Sequence, residues 1–216
     1  MGDVMAKINL PKRIKVGGVT YTVIYSTFPV NSEIDGFHSY NELLIKVNIN
    51  KQYNLQYILY NFLHEIFHAI DAVYMNKVFT EHSIFLLSKA WYHFIFYNNF
   101  TFNNYSLPKF LYIFTTLYKI TYSDKLGTYD LHLNDIEFSF SEAELRVSTI
   151  SNDTKFSKEI LQVNLIEAII LGMIKEYNFS NHEDFEDINT TILSNGIYQV
   201  FKDNELDIVI RSALKQ

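Results

Sequence analysis

The chain has 216 residues, a formal net charge of −6, 48% hydrophobic and 16% aromatic residues, and no cysteine. That length buries a core in one large domain or two small ones, and the composition is that of a globular protein. The negative charge, with Lys12-Arg13-Ile14-Lys15 as the one basic cluster, argues against nucleic acid as a partner. The missing cysteines exclude disulfides and thiolate metal sites.

In chain order, Met1–Lys7 lacks an apolar signal core. Leu10–Ser26 alternates β-branched and aromatic residues around Gly17-Gly18 and reads as a hairpin. Pro29–His38 reads as a loop ending in a turn at Gly36, and Tyr40–Val47 as a strand with an edge free for an extended peptide. A helix is expected from about Leu55 to about Tyr74. A second helix opens at Thr80-Glu81, a capping residue followed by a first-turn acid, and continues through Trp91. The apolar stretches Ile84–Phe96 and Ile160–Ile174 are interrupted by Lys89 and His93 or by Glu167 and are too short to span a bilayer, so a cytoplasmic protein with no membrane partner is expected.

The first long helix carries His64-Glu65-Ile66-Phe67-His68. Histidines four apart lie about 40° around the axis and roughly one turn along it, so both imidazoles reach one metal ion, with the glutamate beside them as a base. Apolar flanks at Leu63, Ile66, Phe67 and Ile70 bury this helix, where a histidine pair needs partners. A zinc hydrolase needs three protein ligands and an open position. Glu81, at the start of an antiparallel second helix, is the first candidate for the third ligand and His82 the second. Asp71, on the same face as the histidines, is either a hydrogen-bond partner for a ligand imidazole or a polar cap. His38, Tyr40 and Tyr92 are possible oxyanion donors but read as packing residues.

From Leu107 the chain starts again. Leu107–Ser123 matches Leu10–Ser26 without gaps, with identities at Leu, Pro, Lys, Tyr, Tyr and Ser. Ile136–Ser139 is matched to Ile45–Asn48, Leu165–Ile170 to Leu63–His68, and Ser194–Val200 to Ser88–Phe94, with Asn98 and Asn204 closing both echoes. The expected organisation is α+β: a small antiparallel sheet packed by the motif helix and a second helix, duplicated in tandem. Residues 1–100 form a metallopeptidase-like domain, and 101–216 a degenerate copy with Ile166 and Ile170 at the ligand positions. The two copies would pack as an internal pseudo-dimer.

Leu-Pro-Lys-x-Ile-Lys-Val-Gly-Gly-x-Thr-Tyr-x-Val at 10–23, Leu-His-Glu-Ile-Phe-His-Ala-Ile-Asp at 63–71, the Thr-Glu helix start and a Tyr followed six residues on by Asn resemble small metallopeptidases of bacteriophages and mobile elements, of the ImmA/IrrE-type, gluzincin-like group. The resemblance covers residues 8–98. It implies a zincin-like fold, Zn2+ on His64 and His68 with Glu81 as the matching acid, Glu65 as catalytic base, and hydrolysis of a protein or peptide substrate, in the host cytoplasm if phage-encoded. The chain departs from the pattern at Phe85, where relatives have an acid. Gly196–Asn204 is closer to the family's closing helix than the first copy is, so Glu183, Glu186 or Asp187 are alternative ligands, with 76–180 as an insertion. The competing expectation is a metal-binding protein without turnover that sequesters a host protein.

Overall fold

The computed structural model describes residues 10–29, 32, 34–50, 52–102, 107–126, 131–133, 136–151, 154–179, 185 and 188–215. It is an α+β structure with two mixed sheets. In the first half, β1 (Arg13–Val16), β2 (Val19–Ser26), β3 (Gly36–Ser39) and β4 (Leu44–Asn48) form a sheet in the order β1-β2-β4-β3. They are followed by α1 (Leu55–Ile70), whose last residues continue as a π-helical turn at Asp71–Met75, and by α2 (Glu81–Tyr97). The second half repeats the order with β5 (Phe110–Ile113), β6 (Thr116–Ser123), β7 (Leu131–Leu133), β8 (Ile136–Ser139) and β9 (Glu144–Ser148) in a sheet ordered β5-β6-β9-β8-β7. A two-stranded ribbon, β10 (Ile150–Ser151) and β11 (Thr154–Lys155), precedes α3 (Lys158–Glu176), α4 (Thr190–Asn204) and α5 (Leu206–Leu214).

Both hairpins follow the same logic. Ile14, Val16, Tyr21 and Val23 point into the core of the first, and Leu111, Ile113, Tyr118 and Ile120 into the core of the second. The matched tyrosines have matched jobs: the Tyr25 hydroxyl donates to the Pro11 carbonyl at 2.9 Å and the Tyr122 hydroxyl to that of Pro108 at 3.2 Å. The turn needs a left-handed residue, which Gly17 supplies at φ +58° and Phe114 at φ +56°, a conformation that disfavours a bulky side chain.

Three expectations need correction. The sheets are mixed, because β4 inserts between β2 and β3 and runs parallel to β2, as β9 does to β6. It follows that β4 is an inner strand; among the described residues the edge strand of the first sheet beside α1 is β3, most of which lies in the stretch expected to be a loop. Finally, Ile136–Ser139 is the counterpart of β3, not of Ile45–Asn48, since Gly36 pairs with Val47 as Ile136 pairs with Val147. A short alternating segment carries its own periodicity but no label for its partner.

The halves interlock through their helices. Asn204, at the end of α4, accepts from the Lys15 backbone N–H and donates to the Lys15 carbonyl, both at 2.8 Å. Asn98, which caps α2, does the same to Tyr112 in β5, again with two bonds of 2.8 Å. Each half's second helix therefore ends on the outward edge of the other half's first strand, covering peptide groups that an open sheet edge would expose. The Tyr74 hydroxyl, in the π-helical turn, donates to Gln199 of α4, and Lys15 pairs with Asp203 at 3.0 Å. Helix α5, which the sequence pattern did not single out, buries Leu206, Ile210 and Ala213 and donates from Arg211 to the Asn98 carbonyl.

Candidate metal centre

Asn54 caps α1 by accepting from the Tyr57 N–H. Ile58, Leu59, Phe62, Leu63, Ile66, Phe67 and Ile70 bury its inner face, which turns His64 and His68 toward the start of α2. Thr80 caps α2 as expected, accepting from the Ser83 N–H, and this sets Glu81 as the first residue of that helix. The connection between the helices is held by Asp71. It is 4% exposed, and its Oδ1 accepts from the N–H groups of Val78 and Phe79 at 3.0 and 3.3 Å. These two bonds fix the connection that leads into α2.

The Nε2 atoms of His64 and His68 lie 3.1 Å apart, and the Glu81 carboxylate reaches them at 2.8 and 3.1 Å. The three side chains offer ligand atoms within 4.8 Å of one another, a group able to hold a metal ion. Desolvation lowers the pKa of both histidines against the raising effect of Glu81, and in His68 the neighbouring His64 lowers it further. Two rings whose burial favours the neutral form turn nitrogens toward one point, and a carboxylate meets them there, an N2O donor set that could hold a metal ion. His82, by contrast, is exposed and stacked on Phe85, outside this group. Glu183, Glu186 and Asp187 lie outside the described residues.

Glu65 is 4% exposed, and burial, reinforced by the charge of Glu81, pushes its pKa up to about 8. What lies against it is Gly36. A methyl group at that position would fall 2.7 Å from the carboxyl carbon of Glu65 and closer still to Oε1, so only glycine lets β3 approach the side chain this closely. Beside His68 a cavity of about 400 Å³ opens, lined by His38, Tyr40, Asp71 and Lys77 among others. The His38 ring lies parallel to that of His68, 6.2 Å away, with its Nε2 buried and without a hydrogen-bond partner. Burial is the main cause that lowers its pKa to about 4. Tyr92 packs on Phe96 about three turns along α2, away from this cavity.

In the second sheet the positions pairing as Gly36 and His38 do are Ile136 and Phe138. Glu167 accepts there from the hydroxyls of Thr190 and Thr191, both at 2.7 Å, and Ile166 and Ile170 are fully buried. Sequence reasoning missed Gly36 and placed His38 with packing residues; the contrast with Ile136 and Phe138 was the available signal, obscured by the wrong strand equivalence. Comparison of the chain with protein-family models, curated proteins and solved structures returns no match.

Proposed function

We propose that this protein is a zinc-dependent metallopeptidase, built as a zincin-like unit duplicated in tandem, with residues 1–100 active and residues 101–216 a degenerate copy. The observation that carries the reading is the convergence of His64, His68 and Glu81 on one point with buried Glu65 next to them. His64, His68 and Glu81 hold the metal. A bound zinc ion acidifies a coordinated water and polarises a carbonyl oxygen. Glu65, held against Gly36, would take a proton from the attacking water and return it to the leaving amine. The cavity beside His68 gives a peptide room to lie across β3. The matching strand connectivity, register and asparagine clamps of the halves support the duplication, and the motif resemblance supports an ImmA/IrrE-type, phage-borne protein acting on a host protein.

The test is metal content together with hydrolysis of a peptide library by wild type, His64→Ala and Glu65→Gln. One equivalent of zinc in wild type, lost in His64→Ala, is expected. Glu65→Gln should keep the zinc and lose about 10²- to 10⁴-fold in rate. Metal-free wild type protein would sink the site. Zinc-dependent biological effect retained in Glu65→Gln would replace catalysis by sequestration of a partner.

A further inference from the structure

The outward faces of the two hairpins are built on one register and carry opposite chemistry. Arg13 pairs with Thr22 and Lys15 with Thr20; in the second half Phe110 pairs with Lys119 and Tyr112 with Leu117. The residue before each clamping asparagine follows suit. Asp203 forms an ion pair with Lys15, whereas Tyr97 and Tyr112 line a common cavity of about 390 Å³ with Phe110 and Leu117. A solvated face in one half is therefore an aromatic face in the other. Further ring contacts extend from it: Phe96 stacks edge-on against Tyr97, the His93 ring lies next to Tyr97 and shares a 3.1 Å hydrogen bond with Tyr177, and Tyr177 packs on Phe114. Phe110 is 58% exposed and Tyr97 60%.

We infer that this face is where a second copy of the chain docks. Area supports it. Phe96, Tyr97, Phe110, Tyr112, Phe114 and Leu117 are each 43–60% exposed. At on the order of 200 Å² per large side chain they offer roughly 600 Å² of exposed, mainly apolar surface. That is at the upper end of the largest patch on a typical monomer, about 300–600 Å², and close to the roughly 800 Å² per partner of a stable dimer. Chemistry favours a self-contact. A two-fold interface sets one patch against itself, which a face made of Arg13 and Lys15 would resist by like-charge repulsion; the aromatic face carries one cation, Lys119 opposite Phe110, and that cation has its own counter-ion. Lys119 is paired with Glu144 at 3.1 Å, which neutralises it on this face.

The test is sedimentation of the full-length chain from about 1 to 100 µM, with a variant that gives the second hairpin the residues of the first, Phe110→Arg with Tyr112→Lys and Leu117→Thr. Wild type is expected at twice the 25.4 kDa chain mass. The variant should show the same far-UV spectrum and melting temperature, with a dimer dissociation constant at least about tenfold weaker, since aromatic anchors dominate such contacts. If the triple variant does not fold, Tyr97→Asp, which copies Asp203, gives the same readout from a single exposed position. Wild type sedimenting at 25.4 kDa throughout would overturn the inference and assign the face to a different protein. So would undiminished dimerisation of the folded variants, or dissociation caused instead by Arg13→Ala with Lys15→Ala.

Discussion

Glu65 and Glu167 occupy matching helices behind matching sheets, and their surroundings differ at every position that touches on chemistry. Around Glu65 stand His64, His68, Gly36 and His38; the corresponding residues on the other side are Ile166, Ile170, Ile136 and Phe138. Glu65 remains a buried carboxyl with a raised pKa beside a metal-capable group. Glu167 is satisfied by two threonine hydroxyls. The contrast teaches that a buried glutamate alone does not mark a metal-capable half, since hydrogen bonds can compensate the desolvation of a buried carboxyl anywhere in a fold. The residues that clear space for it and surround it are what separate the halves.

The sharpest way to break this comparison is Gly36→Ala, half a step toward Ile136. The added methyl must displace the Glu65 side chain while α1 and the histidines stay in place, so zinc content should be unchanged and peptide hydrolysis should fall about 10²-fold, the usual cost of misplacing a reacting group by about 1 Å. Loss of zinc together with activity would show that Gly36 supports the fold and not Glu65. Next in size are the clamps. Asn98→Ala leaves a partly buried peptide group of Tyr112 unpaired and should lower stability to urea by about 2 kcal/mol, whereas Asn204→Ala, whose bonds to Lys15 are exposed, should cost about 1 kcal/mol. Equal losses would deny that difference in burial.

The smallest effect concerns pH. His38 is pushed down from 6.5 to about 4, mainly by burial, with His68 and Lys77 adding to it. A group with a depressed pKa favours its neutral form in the folded state, so its contribution is fully present above pH 6.5 and is lost as pH falls toward about 4. In chelator-treated protein, where His64 and His68 lose stability with the same sign, His38→Phe should flatten part of the acid limb of the melting-temperature profile. An unchanged profile would mean that His38 is charged or solvated in the folded protein.

Much of this was legible in the sequence because local rules governed it. The hairpin alternation, the Thr80 cap and the His-Glu-x-x-His spacing depend on neighbours within a turn or two, and the helix start placed Glu81 opposite the histidines. What was not legible depends on pairing at a distance. The parallel alignment of β2 with β4 leaves no mark on either strand, and Gly36 looks like any turn glycine until Glu65 is seen against it. The echo between Asn98 and Asn204 was visible, but not that each reaches the other half's strand.

That exchange has a kinetic consequence. The peptide of Lys15 meets its partner 189 residues later in the chain, the longest separation among the hydrogen bonds described. At a synthesis rate of about 5–20 residues per second, roughly 10–40 s pass between the emergence of the two. Throughout that interval the outer edge of the newly made β1 lacks the asparagine that caps it. The outer edge of the first sheet is therefore completed only once α4 has been made, and until then it presents unpaired peptide groups of the kind that pair with other strands.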